Sequence, residues 1–232
     1  MRVLVSWSSG KDCAWALHLL KQRPDVEIAG LLTTVNAEFD RVAMHGTRRA
    51  TLEAQAAAAN LPLWSIPLPW PCSNKEYEQR MAAALTRAVA ERIDAIAFGD
   101  LFLRDVRTYR ENQLRSTGIV PLFPLWDIPT PELAPAMIAG GLRAKLVCVD
   151  STRLNPEFAG RDFDAHLLSD LPPTVDPCGE RGEFHSCVYD GPIFSSPIAL
   201  EAGEIVNRDG FIYADFVPVD SLITDPQGAT AS

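Results

Sequence analysis

Residues 3–13 constrain this chain more than any other stretch: the apolar run Val3-Leu4-Val5 passes at once into Ser6-Trp7-Ser8-Ser9-Gly10-Lys11-Asp12-Cys13. Residues 14–21 then carry apolar side chains at helical spacing with no breaker, so the segment predicts strand, tight loop and helix in immediate succession. The start of a helix presents unpaired N–H groups and a partial positive charge. Ser8, Ser9 and Gly10 are small enough to let an anion approach those groups, and Lys11 adds a full positive charge beside them. By physics alone this is a phosphate site, with an ordinary strand-to-helix turn as the alternative that any short motif carries.

The nucleotide loop of the common ATPases requires two glycines separated by four residues, then lysine and a hydroxyl residue. Here Val5 stands at the first glycine position and Asp12 follows the lysine, so that loop is absent. The order of residues 8–13 instead resembles the pyrophosphate loop of the N-type ATP pyrophosphatases, whose pattern is Ser-Gly-Gly-Lys-Asp-Ser. Members of that group cut ATP between the α and β phosphates and adenylate a substrate. The chain departs from the pattern at Ser9, where glycine is usual, and at Cys13, where serine is usual.

A chain of 232 residues can bury one sizeable core with a smaller lobe attached, and 47% apolar against 22% charged residues is the balance of a soluble enzyme. No apolar run reaches transmembrane length, and Met1-Arg2 leads straight into the first strand without a signal peptide. These features predict a cytoplasmic protein with no membrane association. The five cysteines are odd in number and widely spaced, with no Cys-x-x-Cys pair or zinc pattern, so neither disulfides nor structural zinc are expected. A formal charge of −9 argues against a broad grip on nucleic acid, which needs a surplus of Lys and Arg.

Beyond the loop, strands are predicted over residues 27–35, 61–67, 94–100 and 120–126, with helices over 47–60, 74–92 and 105–116 between them. Strands alternating with helices imply a doubly wound parallel sheet, in which ligands bind beyond the carboxyl ends of the strands where strand order reverses. From residue 130 the pattern changes to a helix, a strand over 142–149, a helical piece over 163–170, a polar turn-rich segment over 172–183, and strands over 205–207 and 210–217 hinged on Asp209-Gly210. The expected organisation is a larger α/β domain over 1–129, a smaller α+β lobe over 130–222, and a mobile tail over 223–232.

Two further clusters carry chemistry. Phe98-Gly99-Asp100 closes a predicted strand, where a carboxylate can hold Mg²⁺ or orient a substrate. In the helix that follows, Arg107 and Glu111 share a face, an arrangement that a surface ion pair explains equally. Residues 176–186 set Asp176, Glu180, Glu183 and His185 around Gly179 and Gly182 with little apolar content, which suits a functional loop or a solvated turn.

Gly179-Glu180-Arg181-Gly182-Glu183-Phe184-His185, followed by Asp190-Gly191-Pro192, resembles the acidic signature and Asp-Gly-Pro of the diphthine-ammonia ligase family. Gly99-Asp100, Arg107, Glu111 and Pro124-Leu125-Trp126 resemble that family's middle block, and the likeness spans residues 2 to 217. The resemblance implies a sheet of the adenine nucleotide alpha-hydrolase-like (HUP) type and a smaller domain bearing the signature. Where amidating members have Glu-Thr this chain has His185-Ser186, and it is similar to the single-domain bacterial branch.

The resemblance implies ATP and Mg²⁺ as cofactors and adenylation of a carboxylate as the chemistry. Ser6, Ser8, Ser9, Gly10 and the loop N–H groups would hold the β and γ phosphates, Lys11 would neutralise the departing pyrophosphate, and Asp12 and Asp100 would position Mg²⁺ or its waters. Residues 32–35, Thr33 and Val35 among them, would offer backbone groups to adenine, with Gly99 beside the nucleotide and His45 either facing it or on the surface. Asp100 and Lys11 are thus expected catalytic groups, with Glu183 binding the acceptor or taking a proton from the incoming amine. Arg107, Glu111, Glu180 and His185 are expected acceptor contacts. The implied partners are ammonium or another amine and a small-molecule or protein-borne carboxylate, and the oligomeric state, a homodimer included, is left open. The competing readings are a non-catalytic or hydrolytic nucleotide-binding protein and an ATP pyrophosphatase linked to cobalamin salvage.

Overall fold

The computed structural model describes residues 1–42 and 46–219, so His45 and the tail expected over 223–232 lie outside the described residues. The first part of the chain runs β1 (Arg2–Ser6), α1 (Lys11–Lys21), β2 (Glu27–Asn36), β3 (Arg41–Val42), α2 (Arg49–Ala59), β4 (Leu63–Leu68), α3 (Asn74–Ala90), β5 (Ala95–Ala97), α4 (Arg104–Leu114) and β6 (Val120–Leu122). The second part runs α5 (Thr130–Ala139), β7 (Arg143–Asp150), α6 (Ala165–Asp170), β8 (Phe184–Asp190), β9 (Leu200–Arg208) and β10 (Phe211–Pro218).

Strand β1 is the centre of the first sheet. It pairs in parallel with β2 on one side and β5 on the other, and β5 pairs in parallel with β6. Strand β4 pairs in parallel with β2 from Leu31 onward, and β2 continues past the end of β1, where β3 adds two antiparallel residues. The strand order therefore reverses between β1 and β5, and the crevice beyond their carboxyl ends is where ligands bind in sheets of this kind.

Residues of β1 alternate in the faces they serve. Val3 and Val5 pack with Cys13, Leu17, Leu52 and Ala56 of α1 and α2, whereas Leu4 packs with Met81, Leu85 and Leu114 of α3 and α4. Helices thus cover both faces, which is the doubly wound arrangement. Helix α3 begins where expected because Ser73 caps it: its hydroxyl accepts from the Glu76 N–H, while the Glu76 carboxylate accepts from the Ser73 N–H. Strands β5 and β6 are shorter than predicted. After β6 the chain turns at residues 123–127, where Pro124 has no N–H to extend a ladder.

The second sheet has the order β8-β7-β10-β9 and is antiparallel throughout. The β9–β10 hairpin turns at Asp209 and Gly210, both at positive φ, as the Asp-Gly pair predicts. Strand β9 is longer than predicted because most of its residues are exposed, and its order comes from hydrogen bonding to β10 rather than burial. Strand β8, placed in no predicted element, is the edge that faces the first part of the chain.

One apolar core runs through both parts. Helix α1 lies between the two sheets and is buried on nearly every side, through Cys13, Ala14, Trp15, Ala16, Leu17 and Leu20. Gly140, just after α5, lies so close to Trp15 that an added Cβ would stand 2.3 Å from the indole. Polar ties cross the same seam: Asp215 of β10 accepts from Arg41 and Arg48, and Gln55 of α2 donates to the Val188 carbonyl of β8. Among the described residues no helix is long and apolar enough to cross a membrane.

Candidate active site

The loop after β1 is held in shape by the second sheet. Ser9 has φ 71, a left-handed conformation that costs a non-glycine residue free energy and that the usual glycine of the pattern takes freely. Three hydrogen bonds offset that cost: the Ser9 hydroxyl donates to Thr47 Oγ1 at 2.8 Å, and its carbonyl accepts from Gln55 Nε2 at 3.1 Å and from the Val188 N–H at 2.9 Å. Gly10 caps α1 in an extended conformation. Cys13 acts as the usual serine would, donating to the Gly10 carbonyl at 3.0 Å and accepting from Ser8 Oγ at 3.5 Å. Burial pushes its thiol up to about 11, so it is not a nucleophile near neutral pH.

The first amide of α1 is already used, since the Lys11 N–H donates to Ser186 Oγ of β8 at 3.1 Å. The Lys11 side chain is 2% exposed and runs between the rings of Phe163 and Phe184. Its ammonium donates to both Asp12 carboxylate oxygens, at 3.0 and 2.9 Å, and to the Cys178 carbonyl. Burial alone would lower the Lys11 pKa, but Asp12 and its neighbours more than offset this and raise it, so the charge persists. Burial likewise pushes Asp12 up, against the pull of Lys11.

A cleft of two chambers opens over the loop. The first, about 580 Å³, is largely apolar and is walled by Leu32, Ile66, Met81, Leu85 and Leu114. Thr33 also lines it, and its buried hydroxyl has no hydrogen-bond partner. The second, about 540 Å³, is polar and holds Lys11, Asp12, Asp100, Glu180 and His185. Ser6, Ser8, Phe98 and Arg110 belong to both walls and form the waist between the chambers.

Gly99 explains how the waist closes. A Cβ there would stand 2.7 Å from the Cys13 nitrogen and 2.8 Å from the Asp12 carbonyl carbon, so only glycine lets the end of β5 lie against the start of α1. Asp100 follows at once. Its Oδ2 is buried without a hydrogen bond, 3.7 Å from Arg110 Nε, which is also buried without one. Burial raises the Asp100 pKa, with Arg110 opposing.

The acidic loop is a folded shell rather than a solvated turn. Asp176 Oδ1 accepts from the Cys178 and Glu180 N–H groups, and its Oδ2 accepts from Thr130 Oγ1 at 2.6 Å. Glu183 is buried and accepts from the N–H groups of Asp176 and Arg181, at 3.1 and 3.0 Å. Gly179, at φ 69, lies too close to the Phe184 carbonyl for a side chain. The result is that Glu180 faces the polar chamber, accepting from the Leu101 N–H at 2.8 Å. Burial, with Asp12 and Asp100 adding to it against the Leu101 hydrogen bond, pushes Glu180 up to about 7. Burial and then the Lys11 charge push His185 down to about 4, which leaves the imidazole neutral at pH 7.

Of the residues singled out in the sequence, Ser6, Ser8, Lys11, Asp12, Thr33, Gly99, Asp100, Glu180 and His185 line the cleft. Ser9 and Gly10 shape the loop from beneath, Val35 is packed in the core, and Glu183 serves the acidic loop's own amides. Arg107 and Glu111 form an ion pair at 2.8 Å, each more than a third exposed, with Arg107 over Phe123 and Trp126 and neither residue in the cleft. Sequence reasoning missed Arg110, Ser186 and Gln55. Arg110 carried a signal: with Tyr109, Gln113 and Leu114 it occupies the face of α4 that turns inward, and Leu114 is apolar and buried.

A doubly wound α/β sheet with an anion loop at its switch point, roofed by a second, antiparallel sheet, defines a nucleotide-handling class of protein. The chain belongs to the diphthamide synthase family: the model of the diphthamide synthase N-terminal domain matches residues 1–121 and that of the C-terminal domain matches residues 130–215. The diphthine–ammonia ligase of Bos taurus is 25% identical over 92% of this chain and 88% of its own length, and that of Homo sapiens is 24% identical over the same shares. The diphthine–ammonia ligase of Schizosaccharomyces pombe is 25% identical over 90% of this chain, which spans 37% of that longer protein. A solved structure, titled as a predicted subunit of tRNA methyltransferase from Methanocaldococcus jannaschii, covers 85% of this chain at 14% identity and a TM-score of 0.43.

Proposed function

We propose that this chain is an ATP-dependent ligase that adenylates a carboxylate, releases pyrophosphate and transfers ammonia or an amine to the activated acyl group. The observation that carries this reading is the pair of chambers joined at the anion loop, one apolar and one polar. Adenosine suits the apolar chamber, where the unpartnered Thr33 hydroxyl is available to the base. The triphosphate then crosses Ser6 and Ser8 into the polar chamber, where Lys11 lies.

The donor set suits Mg²⁺. Among the described residues no cluster of three or more His, Cys, Asp or Glu side chains could hold a metal ion by itself, but this cation is usually held by one or two carboxylates together with substrate phosphates. Asp12 and Asp100 line the same chamber, and Asp100 Oδ2 lacks any hydrogen bond. These two residues would hold the ion, which when bound offsets negative charge on the leaving pyrophosphate.

In the first step a carboxylate oxygen of the acceptor attacks the α-phosphorus, and the bond to the β-phosphate oxygen breaks with its electron pair leaving on pyrophosphate. In the second, ammonia attacks the acyl carbon, AMP leaves, and the nitrogen gives up a proton. Glu180, pushed up to about 7, is the base in place for that proton. His185, pushed down to about 4, is too weak a base to hold the proton, and the Lys11 ammonium has no lone pair to accept one. The acceptor is a carboxylate, small or protein-borne, that enters beside Glu180 and His185; diphthine is the acceptor in the names of the relatives. Five free cysteines accord with the reducing cytoplasm, where we place the protein.

The test is release of AMP and pyrophosphate in equal amounts from ATP and Mg²⁺, dependent on both ammonium and a carboxylate, across a panel that includes diphthine-bearing elongation factor. Release without any carboxylate would instead identify a hydrolase.

A further inference from the structure

We infer that Arg110 is a catalytic residue that grips the α-phosphate at the waist of the cleft; the inference rests on the nucleotide reading above. Four side chains belong to both chambers, Ser6, Ser8, Phe98 and Arg110, and Arg110 is the cation among them. A nucleotide with its base in the apolar chamber and its terminal phosphates in the polar one places its α-phosphorus at that waist.

Lys11 is not free to serve there. Its ammonium already donates to both Asp12 oxygens and to the Cys178 carbonyl, which accounts for all three of its donors. The Arg110 guanidinium is different. It lies 5.0 Å from the centre of the Phe98 ring, and its Nε is buried with no hydrogen bond. The facing atom, Asp100 Oδ2, is buried and likewise makes no hydrogen bond; at 3.7 Å it is an ion-pair partner of Arg110, too far for a hydrogen bond but close enough to orient the charge. Such a pair is costly without a ligand, and a planar guanidinium matches two phosphate oxygens at once.

Arg110 therefore binds the non-bridging oxygens of the α-phosphate. It offsets the charge that gathers on them while the acceptor oxygen bonds to phosphorus and the bond to the β-phosphate oxygen breaks, its electron pair departing with pyrophosphate. Toward the α-phosphate Asp100 acts by orienting Arg110, in addition to its place beside the ion.

Calorimetric titration with adenosine, AMP and ATP separates this role from the others. Arg110→Gln should bind adenosine within about twofold of the wild type while AMP weakens ~10-fold or more, the scale of a lost charge-assisted pair. Arg110→Lys should recover part of the preference for AMP. Equal losses for adenosine and AMP, or none for AMP, would overturn the inference and leave the ligase reading standing. A wild-type protein that binds none of the three would remove the nucleotide reading and the inference together.

Discussion

The Glu180 carboxylate accepts a hydrogen bond from the Leu101 N–H at 2.8 Å, which latches the acidic loop of the second sheet to the loop following β5. The same carboxyl is pushed up to about 7. Its folded pKa lies above the ordinary glutamate value, so its contribution to stability is present below about pH 4.5 and is lost as pH rises through about 7. Glu180→Gln should flatten that part of the stability profile in urea titrations. In steady-state assays at saturating amine the variant should lose ~100-fold or more in rate and the rising limb near pH 7. A variant that keeps both limb and rate would exclude Glu180 as the base.

Lys11→Ala leaves the half-buried Asp12 without its partner and strands the buried Cys178 carbonyl, so two effects are expected together. AMP formation should fall below detection, and stability should drop by about 3 kcal/mol, the scale for breaking a buried pair. Chemical denaturation alongside a pyrophosphate assay measures both; turnover at the wild-type level would refute the loop's role.

Gln55 is fully buried: it accepts from Trp7 Nε1 at 2.9 Å, donates to the carbonyls of Ser9 and Val188, and reaches Cys187 Sγ at 3.8 Å. Gln55→Leu keeps much of the volume but takes the acceptor from the Trp7 N–H and a donor from the Val188 carbonyl, while the Ser9 carbonyl keeps the Val188 N–H. A loss of ~3 kcal/mol or more is expected, because stranded buried polar groups cost about 1–3 kcal/mol each. A change under about 1 kcal/mol by equilibrium unfolding would show that the seam does not depend on this side chain.

Thr33→Val removes a hydroxyl that has no partner in the protein, so stability should stay within about 1 kcal/mol of wild type or rise slightly. Adenosine affinity should nevertheless weaken several-fold if the hydroxyl meets the base, roughly one neutral hydrogen bond's worth. Unchanged affinity would move the base elsewhere.

Arg107→Ala and Glu111→Ala break an exposed ion pair outside the cleft, worth about 0.3–0.5 kcal/mol at most. Neither should change kcat/KM more than about twofold. A large loss in either would return this pair to the acceptor site.

The elements legible in the sequence are those fixed by local periodicity and end signals, such as the strand-loop-helix at residues 3–21 and helix α3 with its Ser73 cap. Strand β8 was illegible because its order comes from β7, some forty residues earlier, and from the Ser9 carbonyl. The acidic loop shows the same limit at the scale of one side chain. Asp176, Glu180 and Glu183 look alike in sequence, and only the folded turn decides that two of them bond the loop's own amides while Glu180 turns to the cleft and to the Leu101 N–H. Arg107 and Arg110 are separated in the same way, by which side of α4 meets the sheet.

Helix α1 keeps little outward side beyond its last turn: one flank supports the first sheet and the other receives the second, and its opening amide ends on Ser186. The two matched segments consequently depend on each other for their shape. A foreign roof grafted onto this base, in a laboratory chimera or by recombination, must bring its own hydroxyl for the Lys11 amide and its own carbonyl for the Lys11 ammonium, or the borrowed half silences the half it joins.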